Sequence, residues 1–438
     1  MPVRASDVRG HSRFNYSNAL RCRVDRAIDY HSGMSPRRLY CDNAATSFPK
    51  PPEVAAAVMR YAQTLGASAG RGAYAEAVET GREIARCREL LSELFHGEDA
   101  NHFVFTLNCS DALNLAIKGL IDPARGPAHV VCTATDHNSI LRPIHAMAER
   151  GWVSMALVPV DPATGLIDPA DVRRAVRPET KLIAMTHASN VSGAVQPLRA
   201  IGRIARECAV PFVVDAAQSA GHVPIDVQAD CVDLLAAPGH KALMGPLGTG
   251  FLYVRPGLEK HLRPLREGGT GSQSELPIHP LSMPDKFECG SHNAPGLFGL
   301  AAGVEWVIGQ TVDALHARQC DLAAAFIDGV SSIEGLTYYG PRGVADRIGV
   351  FSVRVAGMAP ADLAAALERD FGILTRPGLH CAPHIHAALG TAKSGGTTRL
   401  SFGAFTSLQD VRFATDALAQ VAASTPSGIN VSNAADVR

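Results

Sequence analysis

The stretch AAPGHKALMGP, residues 236–246, sets Lys241 between glycine-containing turns, directly after His240. A lysine in a turn is ordinarily a hydrated surface cation. It becomes a useful nucleophile when burial or a cationic neighbour makes its amine less basic. Twenty-six positions earlier, Asp215 closes the apolar run PFVVD. A carboxylate at a sheet edge is placed to hold a protonated ring nitrogen. Pyridoxal phosphate requires such a pair: an amine to form its Schiff base, and an acid that keeps the pyridine protonated so that it draws electrons from the bond being broken. Without Lys241, Asp215 would read as a helix N-cap or turn residue.

Elements that position such a pair are visible around it. Short apolar runs FVF (103–105), HVVC (129–132), VSMALV (153–158), KLIAMT (181–186), PFVV (211–214), VDLLAA (232–237) and GFLYV (250–254) alternate with helical stretches. This alternation predicts an α/β fold whose large domain holds a mostly parallel seven-stranded sheet covered on both faces. Ahead of it, EAVETGREIARCRELLSELF carries Ile84, Cys87, Leu91 and Leu94 at helical spacing. Beyond residue 308 the pattern changes to a long helix near 311–330, strands near 336–339 and 349–355, a helix near 360–370 and a last strand–helix pair over 398–421, a smaller α+β C-terminal domain. The expected division is an N-terminal arm over 1–38, a cofactor-binding domain over 39–308 whose first residues pack on the small domain, the small domain over 309–424, and a disordered polar tail over 425–438.

Ligands of parallel sheets sit beyond the carboxyl ends of the strands. The residues there are polar: TLNCSDALN, TATDHNSI, THASNVSG, VDAAQSA and APGHKA. Ser110 opens a helix after FVF, where a hydroxyl and backbone N–H groups suit a phosphate, although a plain N-cap is an equally common use. His137 has the flat ring that would stack on a pyridine, and a histidine at a helix start is also commonly structural. Asn190 and Gln218 are placed to bond the phenolic oxygen side of such a ring.

The whole chain narrows the partners. Its 438 residues are 46% hydrophobic and 19% charged, with 41 basic against 42 acidic residues and a formal charge of -1. Such a balance offers no field for nucleic acid or an acidic membrane and favours a small-molecule partner. No run of about 18 uninterrupted apolar residues suggests a membrane span. The Arg-rich start has no apolar core of a secretory signal, and its Asp7, Asp25 and Asp29 argue against a transit peptide; Met34 is an alternative start. Ten scattered cysteines without a CxxC pair suggest reduced thiols in a cytoplasm.

In order along the chain stand YCDNAATSFPKPPEV, GRGAY, TDHNSI, THASNVSG, VDAAQSAGHVPIDVQ, GHKALMGPLGTGFLY, FECGSHN and RPGLHCAP. From about residue 39 to 420 the sequence resembles the class V aminotransferase-like, fold-type I pyridoxal-phosphate enzymes, and within them the cysteine desulfurases, nearer their group II. The resemblance implies that Lys241 is the Schiff-base lysine, Asp215 the pyridinium partner, His137 the stacking ring, and Asn190 and Gln218 the oxygen contacts. It implies that Ser110 and His240 hold the phosphate, with Cys109 beside Ser110 where the family has a second hydroxyl. Ser291 matches a residue that reaches the phosphate from the other subunit, which implies a homodimer. Arg399 matches the arginine that binds the substrate carboxylate, and Arg376, Asn43 and Arg71 would lie at the same mouth.

Cys381 falls at the position of the desulfurase nucleophile, which takes sulfur from cofactor-bound L-cysteine as a persulfide and leaves L-alanine. Nearby His380 and Arg376 are expected to favour its thiolate. A sulfur-acceptor protein is the implied further partner. Three departures stand out. Pro238 occupies a position that often carries Ser or Thr, Cys109 replaces a hydroxyl, and CAPHIHAALGTAKSGGTTR is longer than the compact group II loop. One phosphate bond is therefore missing or replaced. HCAPHIH lacks the regular spacing and second ligand pair of a metal site, so no metal is expected. The alternatives are selenocysteine lyase, aminotransferase, epimerase or C–S lyase chemistry on the same fold, or a non-catalytic dimeric binding protein.

Overall fold

The computed structural model describes residues 38–425 apart from positions 71, 271, 274 and 276. The arm before residue 38, Met34, Cys22, Arg71 and the tail after 425 therefore lie outside the described residues. Strand β1 (Leu39–Tyr40) leads to helices α1 (Pro52–Arg60) and α2 (Ala75–Phe95). The alternating part runs β2 (Phe103–Thr106), α3 (Cys109–Leu120), β3 (Ala128–Thr133), α4 (Asn138–Ala148), β4 (Val153–Val158), α5 (Pro169–Ala175), β5 (Thr180–Thr186), α6 (Leu198–Glu207), β6 (Phe212–Asp215), β7 (Leu234–Pro238) and β8 (Gly250–Val254). Each predicted strand is present, with ends moved by no more than two residues where the flanking turn decides the last hydrogen bond.

These seven strands form one sheet in the order β2-β8-β7-β6-β5-β3-β4. All neighbours are parallel except those of β8, which runs antiparallel to both β2 and β7. The continuous apolar runs have a direct cause, because successive side chains enter different cores. Val131, Ile183, Val214, Leu235 and Phe251 pack with Leu91 of α2, Ile201 of α6 and Leu297 in the later helix over 294–310. Their neighbours Val130, Leu182, Val213, Leu234 and Leu252 pack on the other face with Leu113 of α3 and Ile144 of α4. Edge strand β4 keeps Ser154 and Leu157 exposed.

Helices α7 (Ala294–Gln310) and α8 (Val312–Val330) lead to a separate C-terminal sheet. It contains β9 (Leu336–Tyr339) and β10 (Val350–Val355), followed by α9 (Pro360–Phe371) and the short β11 (Ile373–Leu374). Then come β12 (Arg376–Gly378), α10 (Pro383–Ala388), β13 (Thr397–Ser401) and α11 (Leu408–Ser424). The sheet order is β12-β13-β10-β9, all antiparallel. Phe326, Phe351 and Phe402 centre its core, and β1 joins this end of the chain by pairing with β11. Among the described residues no helix is long and apolar enough to cross a membrane.

Candidate active site

Asp215 and Lys241 meet at the carboxyl edge of the large sheet because β6 ends at Asp215 and β7 ends three residues before Lys241. Both line one cavity of about 130 Å³, with Cys109 and Ser110 from the start of α3, His137 and Ser139 at the start of α4, and Asn190, Gln218 and His240. The Lys241 turn is held tightly. The His240 carbonyl accepts from the Ser47 N–H at 3.2 Å, Thr46 Oγ1 at 3.0 Å and Lys50 Nζ at 2.7 Å. Ser47 Oγ donates to the Lys241 carbonyl at 2.7 Å. At Gly239 an added Cβ would stand 2.2 Å from Thr249 Oγ1, so a side chain there would displace the turn.

Electrostatics at the site suit an amine that must act as a base or nucleophile. Burial pushes the Lys241 ammonium below its ordinary pKa, against a smaller opposing pull from Asp215. Asp215 Oδ1 accepts the Ala217 N–H at 2.9 Å and the Cys109 thiol at 3.5 Å. Burial also lowers the pKa of His137, which favours the neutral ring. His137 Nδ1 accepts the Ser139 N–H at 3.1 Å, so the neutral ring carries its proton on Nε2.

Gln218 is buried and donates to the Ala44 carbonyl at 2.8 Å. Asn190 Nδ2 donates to the His380 carbonyl at 2.6 Å, while Asn190 Oδ1 and His240 Nδ1 are buried without a hydrogen-bond partner among the described residues. Buried polar atoms without partners are costly and mark where a polar ligand belongs. Together with a desolvated lysine facing a buried carboxylate, they fit a phosphorylated pyridine aldehyde.

Other sequence candidates lie outside this lining. Arg399 is 1% exposed and pairs with Asp42 Oδ1 at 2.6 Å, while Nη1 donates to the Asn190 carbonyl at 3.3 Å. Arg376 stands opposite Arg399 in the β12–β13 register. The Asn43 amide is spent on backbone: Nδ2 donates to the carbonyls of Ser401 at 3.1 Å and Tyr40 at 3.3 Å, and Oδ1 accepts the Phe48 N–H at 3.2 Å. Ser291 is exposed. Cys381 is also exposed, beside the cavity, and its carbonyl accepts the Asn138 N–H at 2.8 Å.

One expectation needs correction. His380 does not supply a cation to the thiol of Cys381: its ring is buried, its Nε2 lies 3.2 Å from Thr397 Oγ1, and burial drives its pKa down to about 2. The Cys109 thiol is turned to Asp215, while the residue lines the cavity beside Ser110. The long loop after Cys381 is folded, with α10 and a 3₁₀ turn over Ala392–Ser394. Among the described residues there is no group of side chains that could hold a metal ion. Asp42, Ser139 and Lys50 were left without roles in the sequence, although DNAATSFPK and TDHNSI contain them. For Asp42 and Ser139 the signal was a charge or hydroxyl within two residues of an assigned position; Lys50 had no such neighbour.

Residues 39–413 match the family model described as Aminotransferase class-V, which defines the class of the fold and its site. A probable cysteine desulfurase of Methanothermobacter thermautotrophicus is 34% identical over 88% of this chain and 94% of its own length. Another from Pyrococcus abyssi is 33% identical over 85% and 91%. The apo structure of cysteine desulfurase from Thermococcus onnurineus NA1 superposes with a TM-score of 0.81, at 30% identity, over 90% of this chain and 99% of that one. The cysteine desulfurase CsdA from Escherichia coli, in its S-sulfonic acid form, gives 0.76 at 25% identity over 87% and 94%. The chain therefore belongs to the cysteine desulfurase family of class V aminotransferases, whose members depend on pyridoxal phosphate.

Proposed function

We propose that this protein is a homodimeric cysteine desulfurase that converts L-cysteine to L-alanine and receives the sulfur on Cys381 as a persulfide. The observation that carries the reading is the lowered-pKa amine of Lys241 in one cavity with Asp215 and the neutral His137. Residues 39–308 would hold the cofactor, while residues 309–424 would bring the nucleophile and the carboxylate arginine to it.

When bound, pyridoxal phosphate supplies an electron sink for bonds at the substrate Cα. Lys241 anchors the cofactor and accepts or returns a proton at Nζ. Asp215 holds a protonated ring nitrogen, and its own orientation is set by the Ala217 N–H. His137 would stack on the ring, with its Nε2–H available as a donor. Asn190 and Gln218 address the ring oxygen; Ser110 and His240 address the phosphate. Ser291, exposed in one copy, would complete the phosphate site of a second. Arg399, oriented by Asp42, takes the substrate carboxylate, with Arg376 beside it. Cys381 attacks the substrate sulfur, the carbon–sulfur bond breaks, and the exposed position of this residue lets an acceptor protein collect the sulfur. Nine free cysteines among the described residues support a reducing cytoplasm.

Purified protein given L-cysteine and a reductant should yield alanine and sulfide in equal amounts, and a Cys381→Ala variant should keep its cofactor and lose both products. Alanine released without dependence on Cys381 would refute the persulfide route. Borohydride reduction should leave a pyridoxyl mass on the peptide containing Lys241.

A further inference from the structure

The phosphate end of the cavity holds fewer donors than the family pattern implies. Pro238 brings no hydroxyl, and the Cys109 thiol is directed at Asp215. Ser139, the second residue of α4, lines the same cavity, with its Oγ 2.7 Å from Ser110 Oγ and 2.9 Å from His137 Nδ1. Its backbone N–H already bonds His137 Nδ1, so the ring keeps its tautomer and position without the hydroxyl.

We propose that Ser139 is a cofactor-binding residue that supplies the second hydroxyl to the phosphate, in the place left by Cys109 and Pro238. The inference rests on the pyridoxal-phosphate reading and deepens it. Two hydroxyls from the first turns of α3 and α4, in contact with each other, can both rotate their protons onto one anionic group. The buried Nδ1 of His240, without a partner among the described residues, lines the same cavity. A bond to a charged oxygen is worth more than the neutral Ser110–Ser139 contact it replaces, so the hydroxyl pair gains by turning to the phosphate.

The test compares pyridoxal phosphate with pyridoxal, which lacks the phosphate. The full chain is freed of cofactor, and dissociation constants for both compounds are measured by absorbance titration for wild type, Ser139→Ala and Ser139→Thr. The alanine variant should weaken pyridoxal phosphate about tenfold to a hundredfold and leave pyridoxal unchanged, and threonine should restore the affinity. Equal losses for the two compounds would show that the hydroxyl acts through His137 and would overturn the proposal, as would no loss at all. If the alanine variant fails to fold, Ser139→Cys, which keeps the volume and donates weakly, gives the same contrast. Attachment of a pyridoxyl group to Lys241 in wild type checks the parent reading separately, so a failure at Ser139 leaves that reading standing.

Discussion

The Lys241 turn and the Cys381 loop carry the two side chains proposed to react, and they are built in opposite ways. Lys241 sits beyond the end of a fully buried strand, on a turn whose preceding carbonyl takes four donors. Cys381 is exposed, and both it and His380 adopt positive φ, 60° and 49°, a conformation that costs a non-glycine residue free energy. The floor of the site demands one geometry, so the sheet edge fixes it. On the proposed reading the thiol receives sulfur and passes it outward, which needs the access an exposed loop supplies. The loop is still tethered, through the Asn138 N–H on the Cys381 carbonyl and Asn190 on the His380 carbonyl.

Replacing each reactive group is the harshest way to test this contrast. Lys241→Ala should lower cysteine turnover on the order of a thousandfold or more and abolish the pyridoxyl-modified peptide. Cys381→Ala should lower turnover comparably while the cofactor absorbance persists. Loss of the cofactor band in the Cys381 variant would mean that the two regions are not independent.

The rigid side is also braced by a buried ion pair. Arg88 Nη2 lies 2.5 Å from Glu288 Oε2, and the Arg88 guanidinium and His292 outweigh burial to hold the Glu288 carboxyl down at about 2. Arg88→Met should cost about 3–5 kcal/mol in denaturant unfolding, because it strands a buried carboxylate. Acid should act on the same side of the molecule. Burial lowers His187 to about 4, so its neutral form is favoured in the folded chain and the unfolded chain binds the extra proton below 6.5. Its contribution, on the order of 3 kcal/mol, is fully present above pH 6.5 and is lost as pH falls toward 4. His222, shifted to about 4 by burial, acts in the same direction. Melting temperature against pH checks this, and His187→Gln should flatten the decline.

The smallest effect is expected from the loop. Gly396 has φ +91°, and an added Cβ would lie 2.2 Å from the Gly378 carbonyl oxygen. Gly396→Ala should destabilise the Cys381 loop by about 1–3 kcal/mol, seen as faster amide exchange over 379–396 with the Lys241 turn unchanged.

Much of this protein was legible in its amino-acid order, because strands buried on both faces must be continuously apolar and because their carboxyl ends must carry the polar chemistry. That logic put Asp215, Lys241, His137 and Ser110 at one sheet edge, and in the fold they line one cavity. Spacing could not say where a short side chain turns once several elements converge. Cys109 looked like a phosphate residue and faces Asp215; His380 looked like a cation beside Cys381 and is buried and neutral. Ser139 carried no sequence assignment and touches Ser110. Periodicity and backbone chemistry are local, so the chain itself determined the sheet and its reactive edge. Burial, charge and contact depend on segments far apart in the chain, such as Asp42 meeting Arg399, and only the packed fold decided them.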